Sequence, residues 1–141
     1  MVANNAIQIR ETLEAALTQE TSAIETLLLV GPALLRMLTG DRAVALNQAA
    51  AADPSGNLGK ALAQTGRDSV APLICQTLER ARHTGALSFD DPQTATDLYL
   101  GLLIGDLQLR RVTGQTHAPD TQQINQRAKR AVEILLQVFA P

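Results

Sequence analysis

The chain has 141 residues, 45% of them hydrophobic and 18% charged, so it is long enough for one domain with a core and is unlike a disordered tail. Its net charge of -2 and its 2% aromatic content provide neither the basic field nor the stacking surfaces that nucleic-acid binding needs. A lone cysteine excludes an internal disulfide and predicts a reducing cytoplasm, and neither a signal peptide nor a membrane-spanning run is recognisable.

The first half of the chain predicts three helices from the spacing of its apolar residues. After a first amphipathic helix near the N-terminus, Ser22 and Glu25 form the capping-box pattern that opens a leucine-rich helix. Pro32 is expected to interrupt or kink that helix, because proline has no amide hydrogen to donate, and Gly40 to end it. An alanine-rich third helix follows and stops before a loop at residues 53–57.

The middle of the chain predicts a short helix and then a longer one. Asn57 is expected to cap the short helix, which ends near Gly66. The longer helix spans roughly residues 68–83, and Pro72 falls in its first turn, where a missing amide hydrogen costs little. Gly85 is the expected left-handed residue that stops it.

The last third predicts two helices separated by a loop. Asp91 caps the first, with Pro92 at its first position, and this helix is expected to continue to Gly114. Asp120 caps the final helix, which runs to about Phe139. No segment alternates with period two, so the sequence predicts an all-α helical bundle.

Side chains suited to catalysis or metal binding are few, and each has a simpler structural explanation. Cys75 lies in an apolar helical pattern as a small core residue. His83 and His117 lack the spacing of metal ligands, and a cap before a proline explains Asp90 and Asp91 better than acid–base chemistry does. Phosphate-binding loops and nucleophile motifs are missing. The sequence therefore predicts neither an enzyme nor a metal or cofactor site.

The chain has three basic groups, at residues 80–83, 110–111 and 127–130. Each is better explained as a solvated helix face than as an anion-binding site. Asp106 is harder to explain, because it lies within an apolar helix. Arg110 follows four residues later, and that spacing lets the two side chains pair. The alternative is that Asp106 points into a cavity and binds a polar group of a ligand.

The segment LYLGLLIGDLQL, residues 98–109, is apolar almost all round, and the final helix also has a broad apolar face. One apolar side is enough to dock a helix on its own core, so the excess predicts a homodimer built as a four-helix bundle about a two-fold axis. The alternative is that other helices of the same chain bury both sides. The residues expected at the dimer interface are Leu98, Gly101, Leu102, Gly105, Leu109, Ile134 and Val138.

Three consecutive segments, LERARHTGAL, SFDDPQTATDLYLGLLIGDLQLRRVTG and QINQRAKRAVEILLQVFAP, resemble the C-terminal regulatory domain of TetR-family (tetracycline-repressor-like) transcription regulators. The most specific part of this resemblance is the junction from Gly85 to Pro92, followed along the chain by Gly101 and Gly105. The resemblance implies that residues 1–141 form one domain that senses a ligand and dimerises through its last two helices. No segment resembles the family's helix-turn-helix unit, so we expect no operator binding by this chain alone.

Two functions remain open: a regulator domain that binds a small apolar or amphipathic effector, and a helical adaptor that binds another protein and no small molecule. The first predicts an enclosed apolar cavity between the central helices, and the second a solid interior with an exposed groove. Tyr99 is the best candidate to orient a ligand's polar end, although it is equally well explained as a core residue. The candidate ligand-binding residues are Leu28, Leu35, Leu38, Leu73, Leu78, Tyr99, Leu103 and Asp106.

Overall fold

The computed structural model describes residues 2–18 and 22–141, and within these ranges it contains eight α-helices and no strand. The prediction of an all-α protein is therefore confirmed. In chain order the helices are α1 Val2–Thr18, α2 Ala23–Thr39, α3 Asp41–Ala51, α4 Asn57–Thr65, α5 Arg67–His83, α6 Pro92–Ile104, α7 Leu107–Val112 and α8 Thr121–Val138.

Helix α2 lies at the centre and contacts α1, α3, α5, α6, α7 and α8. Its position follows from its sequence, since it buries leucine and valine side chains along its length. Gly31 permits the closest approach: a Cβ atom there would lie 3.1 Å from Ala128 Cβ and 3.2 Å from the Tyr99 hydroxyl. The bundle is therefore tightest where α2 crosses α6 and α8.

Helices α6 and α8 run antiparallel beside each other. The segment before α6 meets the end of α8, where the Ser88 amide donates to the Phe139 carbonyl at 2.8 Å and the rings of Phe89 and Phe139 lie 5.5 Å apart. At the other end, Arg127 near the start of α8 contacts the last turn of α6. The two helices thus form a hairpin of the kind from which helical dimers are built.

The predicted helix caps are mostly confirmed. The Ser22 hydroxyl accepts from the Glu25 amide at 3.5 Å, and Asp120 forms a full capping box with Gln123. Asp91 accepts from two amides at the start of α6 and from the Thr94 hydroxyl, and these hydrogen bonds lower the pKa of the Asp91 carboxyl group. Gly85 has a φ of +82°, the left-handed conformation expected after a helix.

Three local predictions are wrong. Helix α2 continues through Pro32, so the predicted interruption does not occur; the alternative prediction, a kink, stays a prediction. Helix α5 begins at Arg67, so Pro72 lies in its second turn. Gly56, rather than Asn57, occupies the N-cap position of α4, and the Asp53 carboxylate accepts from the Leu58 amide at 2.9 Å instead. Proximity in sequence suggested Asn57, but the preceding turn brings Asp53 back to the helix start.

The largest correction concerns the helix expected to run from Asp91 to Gly114. It breaks at Gly105, whose φ of 52° and ψ of -132°, followed by -97° and 6° at Asp106, match a type II′ turn. Gly105 therefore does not lie inside a helix. The guanidinium of Arg127 holds the break, donating to Leu103 O at 2.7 Å and to Ile104 O at 3.0 Å. Arg127 is thus a structural residue and not part of a solvated face.

The break also decides the position of Asp106. Its side chain is exposed at the start of α7 and, within the described residues, makes no ion pair with Arg110. Neither the predicted pairing nor a position inside a cavity is realised. The neighbouring Arg111 instead donates to Thr39 O at 2.9 Å and pairs with Asp41 at 2.7 Å, which fixes α7 against the junction of α2 and α3.

Candidate ligand cavity

A cavity of about 500 Å³ lies among α2, α3, α4, α5, α6 and α7, and is partly open to solvent. Its size falls within the range of small-molecule sites. Half of the residues with which α3 and α4 line it are alanine or glycine, and these small residues leave space next to α2, α5 and α6. The lining residues are Leu34, Met37, Leu38, Ala43, Leu46, Asn47, Gly59, Leu62, Ala63, Gly66, Arg67, Val70, Ala71, Ile74, Asp97, Leu100, Gly101, Ile104, Gly105 and Gln108.

Four polar side chains interrupt this mostly apolar lining. Asn47 and Gln108 are half-buried, and Arg67 and Asp97 are exposed. The exposed pair carries one positive and one negative charge, while the two amides are less accessible to solvent. A molecule with an apolar body and polar substituents suits such a lining.

Of the eight residues predicted to bind ligand, the structure places only Leu38 in the cavity lining. Leu35, Leu73, Leu78, Tyr99 and Leu103 are buried in the core, whereas Leu28 is 41% exposed and Asp106 is exposed at the surface.

Most of the predicted residues lie outside the cavity lining because the sequence does not fix the rotation of each helix about its own axis. The flank of α6 that faces the cavity carries Asp97, Leu100, Gly101 and Ile104, whereas Tyr99 lies on the flank that enters the core. The lining residues that sequence reasoning missed come from all six helices; those of α3 and α4 include alanines and a glycine, which indicate no site by themselves.

Tyr99 is fully buried, and its hydroxyl donates to the Leu27 carbonyl at 3.2 Å. Burial raises the pKa of the phenol, because the surroundings disfavour the charged form. The only phenol of the chain therefore joins α6 to α2 and does not line the cavity. This position fits the alternative prediction, a core residue, better than a residue that orients a ligand.

Replacement of Tyr99 with phenylalanine is expected to lower the free energy of unfolding by about 1 kcal/mol, since it removes one buried hydrogen bond and keeps the ring. Urea denaturation at fixed protein concentration measures the change. An unchanged unfolding free energy would show that the bond to Leu27 O contributes nothing.

Residues predicted at the dimer interface fall into two groups. Gly101 and Gly105 line the cavity. The others are apolar side chains left partly uncovered: Leu109 is 63% exposed and Val138 57% exposed. Leu98, Leu102 and Ile134 are half-buried.

Within the described residues, no group of three or more histidine, cysteine, aspartate or glutamate side chains could hold a metal ion. Cys75 is half-buried, and His83 and His117 are exposed. In the same part of the chain no single helix is long and apolar enough to cross a bilayer, although α2 and α3 together, across a 56° bend, have the length and composition.

Comparison with known proteins identifies relatives along most of the chain. The family model described as AefR-like transcriptional repressor, C-terminal domain, matches residues 25–141. A search of curated protein sequences gives no significant match.

Solved structures give the same fold. A putative TetR-family regulator from Mesorhizobium loti MAFF303099 is 19% identical with a TM-score of 0.77, over 98% of this chain and 71% of that one. A TetR regulator from Agrobacterium tumefaciens is 29% identical with a TM-score of 0.73, over 93% and 70%. The flavonoid-responsive regulator FrrA is 24% identical with a TM-score of 0.70, over 99% and 73%. The chain therefore belongs to the TetR family of transcriptional regulators, in the family of AefR-like C-terminal domains.

Proposed function

We propose that this chain is the effector-sensing and dimerisation domain of a cytoplasmic TetR-type transcriptional regulator, and that its effector is a small apolar or amphipathic molecule. The observation that carries the proposal is the partly open cavity of about 500 Å³, lined mostly by aliphatic side chains from six helices. A helical adaptor was expected to have a solid interior and an exposed apolar groove. The cavity, although partly open to solvent, reaches between six helices, and this supports sensing over the adaptor hypothesis.

The relative FrrA guides the choice of compounds, because its name describes it as flavonoid-responsive and it shares this fold. A flavone is a flat apolar body with polar substituents, which is the kind of molecule that the lining accommodates. We therefore place flavones first in a ligand panel, beside medium-chain fatty acids and apolar amines.

The proposal is tested by thermal unfolding of the chain with each compound of that panel. A ligand present at about 100 times its Kd stabilises the folded state by about 2.7 kcal/mol, which corresponds to an increase in Tm of roughly 5–10 °C for a domain of this size. If no compound of any class raises the Tm, sensing of apolar molecules by this chain is wrong.

A variant that fills the cavity separates binding there from binding elsewhere. Gly59 lines the cavity, and a Cβ atom added to it meets nothing within 4 Å, so Gly59→Leu extends a side chain into open space. We expect this variant to fold and to lose the ligand-induced increase in Tm. Lys60→Leu, at an exposed neighbouring position outside the lining, is the matched control and keeps it.

A further inference from the structure

A second cavity, of about 400 Å³, lies between α1 and α2 and is also partly open to solvent. Of the residues that the structure describes, Met37 alone lines both this cavity and the ligand cavity. The two spaces therefore meet at this side chain. The residues that line the second cavity are Gln8, Ile9, Thr12, Leu29, Val30, Ala33, Arg36 and Met37.

Helix geometry places the Met37 side chain between the two cavities. With about 3.6 residues per turn, Met37 projects from α2 in a direction between those of Leu34, which lines only the ligand cavity, and Ala33, which lines only the second. Met37 is 6% exposed, so its side chain packs inside the bundle and does not extend into solvent. It has the position of a wall between the two spaces.

A wall made by methionine is easily moved or shortened. The methionine side chain is unbranched and flexible, and it fills irregular gaps in protein cores. Alanine at position 37 would lack Cγ, Sδ and Cε, the atoms that extend past Cβ. Ala33, the neighbouring α2 residue on the side of the second cavity, is too small to replace them.

The distribution of charge determines which end of an amphipathic molecule reaches this wall. Arg67 and Asp97 line the ligand cavity and are exposed, so a charged head group can stay hydrated beside them. The lining formed by Leu34, Met37 and Val70 is apolar and buried. Moving a charge into such surroundings costs free energy, whereas burying an aliphatic tail is favourable. The tail is therefore the part that we expect next to Met37.

From this arrangement we infer that Met37 limits the length of the aliphatic chain that the ligand cavity accepts, and that its side chain closes a passage into the second cavity. The inference rests on the proposed function and names a specificity-determining residue of the same site. Each methylene group is expected to increase the affinity about fourfold until the chain reaches Met37, and further methylene groups to add nothing.

The test uses straight-chain fatty acids and primary alkylamines, each as a series from the octyl to the tetradecyl compound. Isothermal titration on the full chain, below the critical micelle concentration, gives the length at which the affinity stops increasing. In Met37→Ala we expect nearly unchanged affinities below that length and affinities about tenfold higher above it, because further methylene groups are buried. Both series should give the same limit, since they share the tail and differ in the head group.

Two controls show whether the gain comes from the passage. Met37→Leu changes the side-chain volume little and should keep the wild-type limit. Ala33→Leu, added to Met37→Ala, places a larger side chain in the second cavity and should restore that limit. Met37→Val, which removes less of the side chain, replaces Met37→Ala in both comparisons if the alanine variant does not fold.

A crystal structure of Met37→Ala without ligand is a second readout, and it is expected to show one continuous space from Gly59 to Thr12. Two separate cavities, an unchanged length limit, or a gain that persists after Ala33→Leu would each overturn the inference. Binding of flavones but of no chain compound would overturn it and leave ligand sensing intact. An absence of binding across the whole panel overturns the proposed function, and this inference with it.

Discussion

Replacing Gly105 with alanine is expected to lower the free energy of unfolding by about 3 kcal/mol. At a φ of 52° and a ψ of -132°, a residue with a Cβ is strained by roughly 1–3 kcal/mol. The added Cβ would also overlap Arg127 Nη2, which donates to Ile104 O at 3.0 Å. Moving that guanidinium leaves carbonyl groups at the end of α6 without their charged donor, and each such bond contributes about 1.5–3 kcal/mol.

Gly101→Ala is the control, one helical turn earlier. Gly101 is helical, and a Cβ atom there meets nothing within 4 Å, so the substitution should raise the unfolding free energy by about 0.5–1 kcal/mol. Urea denaturation of the two variants and the wild type, at one protomer concentration, measures the difference. Equal effects of the two substitutions would contradict the conclusion that the break at Gly105 is held by backbone conformation and by Arg127.

The helix starts were predictable because a capping side chain bonds to backbone amides that are close to it in sequence. Ser22, Asp91 and Asp120 each bond to amides within three residues, so the pattern that indicates the cap also contains its partner. The break at Gly105 was not predictable in this way. It depends on Arg127, 22 positions further along the chain, and a glycine within an apolar run is equally compatible with a continuous helix.

The sequence predicted an enclosed apolar cavity between the central helices, whereas the cavity of the structure is partly open to solvent and is lined by other residues. Apolar periodicity shows that a helix has an inward side, and it does not show which part of that side meets close-packed neighbours and which part meets a space. Tyr99 and Leu100 are adjacent in sequence, yet the first is sealed in the core and the second lines the cavity. Part of the space is left by Ala43, Gly59 and Ala63 on α3 and α4, whose sequences indicate only helix.

The last prediction concerns the homodimer, which we propose to form through the hairpin of α6 and α8 together with α7. Leu109→Glu should convert a particle of twice 15.0 kDa into one of 15.0 kDa, measured by light scattering at micromolar concentration. Leu109 is 63% exposed in the protomer, so the substitution should not disturb the fold. In a two-fold interface it introduces two carboxylates with no partner, and burying an unpaired charge costs several kcal/mol.

Leu29→Glu is the matched control, because Leu29 is 65% exposed but lies on the side of α2 that is next to α1 and not next to α6 and α8. It is expected to leave the dimer intact, whereas Leu102→Glu, at a half-buried position on α6, should separate the protomers as Leu109→Glu does. A wild-type mass of 15.0 kDa would exclude the dimer. Dissociation by Leu29→Glu with no effect of Leu109→Glu would move the interface to α2, and the exposed leucine of α7 would then need another explanation.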